Sequence, residues 1–144
     1  MAAKRTRKKK FFTPSEAQSM LPLVRAIVKD IVDLAHGLRD RHARLERLTD
    51  GGVHKGLITR EQLEEEQAAF EAGQDRLQEL VEELTELGVE LKDYFAGLID
   101  FPCWMDGREV YLCWKHGEKE LAWWHEVDAG FQGRKPLRVE APVR

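Results

Sequence analysis

Two long series of apolar residues at alternating three- and four-residue spacing, parted by one glycine-containing break, constrain this chain more than any other feature. Leu21, Val24, Val28, Ile31, Ala35, Leu38, His42 and Leu45 form the first series. Leu63, Gln67, Phe70, Gln74, Leu77, Val81, Leu84, Gly88, Leu91 and Phe95 form the second. That spacing puts each set on one side of an α-helix. Thr13-Pro14-Ser15-Glu16 is a helix start in which Thr13 caps, Pro14 suits the first helical position and Glu16 closes a capping box. Thr59 and Gln62 repeat the device for the second helix, and Asp50-Gly51-Gly52 ends the first. The short link at 50–58 predicts an antiparallel helical hairpin. Pro22, inside the first run, predicts a kink or a division near residue 21.

Antiparallel pairing of the two helices sets Gln67 opposite His42 and Gln74 opposite Ala35, so His42 and Gln67 are expected to form a polar layer that fixes register. Gly88 falls opposite Met20, where the missing side chain leaves room for a bulky neighbour from the tryptophan-rich segment. Two helices alone bury one face each, so a homodimer completing a four-helix bundle is the expected assembly.

Charge is strongly segregated behind a net value of −3. Residues 1–12 carry Lys4, Arg5, Arg7, Lys8, Lys9 and Lys10 and no acid, whereas residues 60–95 carry twelve acids against three bases. The N-terminal segment reads as a basic flexible tail over 1–12, able to bind nucleic acid through phosphates or to rest on the acidic helix. With 34% charged and 42% apolar residues in 144, the chain fits one helical globular domain. No apolar run approaches the roughly 18 residues that span a bilayer, and Phe11-Phe12 is too short for a signal-peptide core. Two cysteines point to a reducing, cytoplasmic setting with free thiols.

The segment from Asp100 to Pro136 is different in kind. It holds all four tryptophans, both cysteines and two of the five histidines. Arg108 to Lys115 alternates, with Val110, Leu112 and Trp114 on one side and Tyr111 and Cys113 on the other. Leu121 to Glu126 alternates as well, and His116-Gly117-Glu118-Lys119 between them reads as a hairpin turn. An isolated hairpin is marginal in water, so it must pack on the helices. The expected fold is therefore α+β: a long antiparallel helical hairpin with a small C-terminal antiparallel β-hairpin packed near its open end. Most tryptophans are expected in the core, with some walling a pocket.

FTPSEAQSMLPLVR at the start, GVELKD at 88–93, GLIDFP at 97–102, EVYLCWKHGE and WHEVDAGFQGRKP agree in order and spacing with a bacterial family of uncharacterised proteins. On these motifs the chain resembles the DUF2203 family from about Phe12 to Pro136. The resemblance implies a single family domain over 13–136 with a C-terminal tail at 137–144, and it implies no activity. His116 stands where an apolar residue is more usual, which weakens it as a shared functional group.

Several side chains here suit a metal or a small ligand. Glu90 and Asp93, three residues apart, lie near one face if helix 2 continues through them. With Glu118 and His125 they make a carboxylate–histidine set appropriate to zinc, iron or manganese. The plainer reading of His125, and the favoured one, is a hydrogen bond that ties the hairpin to Asp93 or Asp100. No standard metal motif is present. Trp114, Trp124, Arg134, Lys92 and Asp100 are the expected ligand-binding residues. The glycines around Arg134 expose backbone N–H groups to an anion, unless Arg134 pairs with a nearby acid. Lys92 acts as a base only if buried. Cys103 and Cys113 read as packing residues. These features support a metal- or small-ligand-binding protein, or a small enzyme, with a pocket between the end of helix 2 and the hairpin. An oligomeric interaction module and a nucleic-acid-associated protein led by the basic tail are the alternatives.

Overall fold

The structure, a computed structural model, describes residues 9–137. Two helices, α1 (Pro14–Thr49) and α2 (Arg60–Leu87), precede five strands: β1 (Glu90–Asp93), β2 (Leu98–Met105), β3 (Arg108–Lys115), β4 (Trp123–Glu126) and β5 (Lys135–Pro136). The strands form one antiparallel meander in the order β1-β2-β3-β4-β5. The α+β class and the helical hairpin are as the sequence predicts, but the sheet has five strands where a two-stranded hairpin is expected.

Both capping boxes are formed. Thr13 accepts from the Glu16 amide while Glu16 accepts from the Thr13 amide, and Thr59 and Gln62 do the same. α1 runs unbroken past Pro22, whose ring faces solvent, so the expected division near residue 21 does not occur. The helix tolerates it because the proline removes one backbone donor on an open face.

The second helix is shorter than its apolar spacing suggests. Gly88 takes a left-handed conformation (φ 91°) as the C-cap, its N–H donating to the carbonyls of Leu84 and Thr85. Glu90–Asp93 therefore lies on a strand, and Glu90 and Asp93 do not share a helical face. A side chain at Gly88 would meet Lys10 and Phe12, not a tryptophan. The opening there accommodates the segment before α1. Phe12 is buried against Phe101, and its amide donates to the Pro102 carbonyl at 2.7 Å. Lys9–Phe12 thus packs along the sheet, whereas residues 1–8 and 138–144 of the expected tails lie outside the described residues.

One face of the sheet closes on the helices. Ile99, Phe101 and Cys103 of β2 and Val110, Leu112 and Trp114 of β3 meet Val24, Val28 and Ile31 of α1 and Leu80 and Leu84 of α2. The sheet does not reach the hairpin tip, so His42, Gln67 and Gln74 are exposed and the expected buried polar layer is absent. His42 instead lies against Phe70, 5.6 Å between ring centres, with Glu46 3.7 Å away.

Gly97, in the turn between β1 and β2, packs tightly against α1. Its φ is 69°, and a Cβ there would lie 2.5 Å from His116 Cβ and 2.8 Å from Val32 Cγ2. Gly97→Ala is expected to cost about 2–3 kcal/mol, from overpacking and a left-handed backbone together, read as a lower urea midpoint.

Hydrogen bonding to Thr13 holds the Glu16 carboxyl below its usual range. A carboxyl lowered by folding adds stability above its unfolded pKa and loses it as pH falls through the lowered value. Glu16→Gln, which keeps the box geometry already used by Gln62, is expected to flatten the acid limb of a plot of Tm against pH.

A candidate metal centre under the C-terminal loop

The second face of the sheet gathers the polar chemistry. In the strand register, Glu90 pairs with Asp100, Asp100 with Cys113, Cys113 with Trp123, and Tyr111 with His125. These residues share the face turned away from the helices. In a free meander this face would meet water. Here the segment after β4 folds back across it, and Val127, Gly130 and Phe131 line a pocket of about 230 Å³ together with Lys92, Leu98, Asp100, Tyr111 and His125.

Arg134 holds that segment down. Its guanidinium forks onto Glu118 at 2.7 and 3.1 Å and lies over the rings of Trp123 and Phe131, 4.7 and 4.5 Å from their centres. Glu118 also accepts from the Lys115 amide at 2.7 Å. A planar cation with a bidentate carboxylate and two aromatic faces is a directional contact that lysine cannot reproduce.

Beneath this cover Asp100 and His125 are each 3% exposed, and Cys113 is fully buried. A carboxylate oxygen, the thiol sulfur and an imidazole nitrogen of the three lie within 4.8 Å of one another. His125 Nδ1 is 2.7 Å from the Glu126 carbonyl, which only accepts, so Nδ1 carries a proton. Nε2 faces Asp100 Oδ1 at 3.0 Å. A second proton must sit in that contact, on one partner or the other, because two lone pairs do not attract. Burial raises the Asp100 carboxyl above its usual range, while the His125 hydrogen bond works against it.

Burial, followed by the charge of Asp100, pushes the Cys113 thiol up to about 12, although Arg134 Nη1 lies 3.9 Å from the sulfur. A cysteine nucleophile activated by an Asp-oriented histidine would need both ring nitrogens free for that purpose. The Glu126 carbonyl occupies one of them, so the three residues are not a nucleophilic triad. They do have the donor chemistry of a borderline metal: carboxylate, thiolate and an imidazole fixed by a backbone acceptor on its other nitrogen. Ligands around tetrahedral zinc stand about 3.5 Å apart, within reach by small side-chain adjustments.

The expected site residues are divided between this cluster and other roles. Asp100 and His125 are brought together, and of the two hydrogen-bond partners considered for His125 the structure uses Asp100. Lys92 lines the pocket, but its ammonium pairs with Glu90 at 2.8 Å and its pKa is raised, chiefly by that bond, which disfavours a neutral, nucleophilic amine. Glu90 also accepts from the Tyr111 hydroxyl at 3.2 Å. Asp93 is occupied in a turn, Oδ1 accepting from the amides of Phe95 and Ala96, so it is far from a shared set with His125 in role. Glu118 is held by Arg134, which answers the anion-or-acid question at Arg134 in favour of the acid. Trp114 is fully buried on the helix side, with its indole N–H donating to the Glu118 carbonyl, and Trp124 packs at that same core. Neither tryptophan lines the pocket. Cys113 and Tyr111 are the residues that sequence reasoning passed over; the alternation of β3 put both on the Asp100 side, and the missing piece was β2.

A two-helix hairpin carrying a five-stranded meander, with a buried Asp–Cys–His cluster on its far face, is the class of protein these features define. The chain belongs to the DUF2203 family of uncharacterised conserved proteins, whose family model matches residues 10–137. No curated protein and no solved structure matches it. Among the described residues no helix is long and apolar enough to cross a membrane.

Protonated and covered, Cys113 is expected to react with thiol reagents far more slowly at mildly alkaline pH than a free cysteine does. Full reactivity should return in urea, which a timed thiol assay on native and unfolded protein reads directly.

Proposed function

We propose that the protein binds a divalent metal through Asp100, Cys113 and His125, and that the pocket above them admits a small ligand to that metal. The observation that carries this reading is the convergence of three buried ligand-type side chains with the His125 Nδ1 proton already committed to a backbone carbonyl. That commitment presents Nε2 to the cluster, the arrangement in which an outer acceptor orients a metal-ligating imidazole. Thiolate and imidazole donors favour zinc or iron(II) over manganese among the metals considered. Binding would displace the proton between Asp100 and His125 and the thiol proton of Cys113, so apparent affinity rises with pH. Three protein ligands and an open side are the pattern of sites where a metal works on a bound molecule rather than only bracing a fold.

Elemental analysis of protein purified without a metal-affinity tag is expected to find about one zinc or iron per chain, as three protein ligands suggest. His125→Ala and Cys113→Ser should lose it while retaining the helical circular dichroism. With cobalt(II), the wild type should show a sulfur-to-metal absorption band that Cys113→Ser lacks. Absence of metal after reconstitution, with the fold intact, overturns the assignment.

A second reading rests on the distal helices. Ala35, Leu38, Phe70 and Leu77 of the helices and Phe95 of the β1–β2 turn line a mostly apolar groove of about 240 Å³ rimmed by Arg39, His42 and Gln74. Pairing of two such hairpins would give the homodimer expected of two half-covered helices. Concentration-dependent sedimentation that Phe70→Asp abolishes supports it, and a monomer at all concentrations removes it.

A further inference from the structure

The cover over Asp100, Cys113 and His125 is one segment thick. Val127 and Phe131 line the pocket on their inner side, yet they are 51% and 38% exposed to solvent. Among the described residues, the backbone hydrogen bonds of residues 127–133 are all local. The Ala129 amide donates to the Glu126 carbonyl at 3.0 Å, and the Gly133 amide to the Gly130 carbonyl at 3.1 Å. None reaches β1, β2 or β3. Gly130 turns the chain back over the sheet at φ 66° and ψ −167°, a conformation that glycine alone adopts readily. The two ends of the segment are anchored independently of it. Arg108 holds Glu126 at 2.7 and 2.9 Å, and the Leu137 amide donates to the Ala122 carbonyl at 2.8 Å. What fastens the bridge between those ends is Arg134 on Glu118, with its contacts to Trp123 and Phe131, and Lys115 over the Phe131 ring at 5.5 Å.

We propose that residues 127–133 form a lid over the Asp100–Cys113–His125 cluster, latched by the Arg134–Glu118 fork, which opens as a unit while the sheet stays folded. The other pocket walls cannot open so cheaply. Leu98, Asp100, Tyr111 and His125 stand on β2, β3 and β4, where moving them breaks ladder bonds. Release of the segment breaks one ion pair and a few ring contacts, the kind of local opening that costs much less than global unfolding. The lid's purpose, passage of a metal and its ligand, rests on the metal reading proposed above. Its existence does not, because Cys113 beneath it reports opening without a metal.

The test is timed iodoacetamide labelling of chelator-treated, full-length protein at fixed pH over a urea series, read by mass spectrometry of tryptic peptides. Trypsin separates the two thiols, Cys103 lying between Lys92 and Arg108 and Cys113 between Arg108 and Lys115. Below the unfolding transition, Cys113 is expected to label at a rate nearly independent of urea. Cys103, in the core on the helix side, should label more slowly and accelerate with urea, because only global unfolding exposes it. Arg134→Gln is expected to speed Cys113 labelling about tenfold without making it urea-dependent. The sign is diagnostic. Arg134 helps the Cys113 thiol ionise, so losing that cation alone would slow alkylation, and only opening accelerates it. Arg134→Lys, which keeps the charge and loses the fork, is the second variant, expected to speed labelling less. The proposal is overturned if Cys113 labels only in step with Cys103 across the urea series. It is also overturned if Arg134→Gln, with native circular dichroism, leaves the Cys113 rate unchanged or lower. A lid that fails this test leaves the metal assignment standing, and a protein that takes up no metal leaves the labelling result standing.

Discussion

Everything in this molecule depends on β2 and β3 being buried on both faces. Antiparallel sheets commonly leave one face to water, and the residues on such a face are free to be polar. Here Ile99, Phe101, Val110, Leu112 and Trp114 press onto α1, while the C-terminal loop covers Asp100 and Cys113 on the other side. The helices supply the apolar layer and the loop supplies the dry lid. Without the first there is no stable sheet. Without the second, Asp100, Cys113 and His125 would be ordinary hydrated side chains.

Burial of that kind demands compensation. An acid, a thiol and an imidazole removed from water must satisfy one another or lose stability. Two of them do so through a shared proton, and the imidazole uses its other nitrogen on the backbone. Cys113 is the member with the least to hold it, since its thiol is driven toward the neutral form by its surroundings. A cation placed among the three would replace protons with a stronger common partner, so the cluster is understandable both as a closed proton-sharing group and as a metal-ready one. Arg134 holds the loop that dries the cluster, through its fork onto Glu118 and its two aromatic contacts.

Much of the architecture was written in local signals. Both capping boxes, the helical hairpin and the alternation of β3 follow from residue spacing and short-range chemistry. The apolar spacing overruns the end of α2 because Leu91 and Phe95 continue it past the Gly88 cap. β2 was missed although Asp106-Gly107, with φ of 53° and 78°, is a two-residue hairpin turn of the kind that strongly joins adjacent strands. With β2 unrecognised, Asp100 had no strand partner, and Cys113 opposite it had no reason to be more than packing. The acids that spacing did single out, Asp93 and Glu118, were drawn into a turn and an ion pair, uses that only neighbours in space decide.

The sequence by itself determined the two capped helices, their antiparallel return, the segregation of charge between the N-terminal segment and α2, and the side of β3 on which Cys113 lies. These are properties of residues within a few positions of each other. Only the tertiary structure decided that Asp100, Cys113 and His125 meet, that Trp114 and Trp124 serve the core, and that Phe11 joins Trp104 at the surface. Each of those outcomes depends on the register of strands or on a terminal segment crossing the sheet. Such contacts arise between distant parts of the chain, where the pairing is set by burying apolar surface rather than by any local preference.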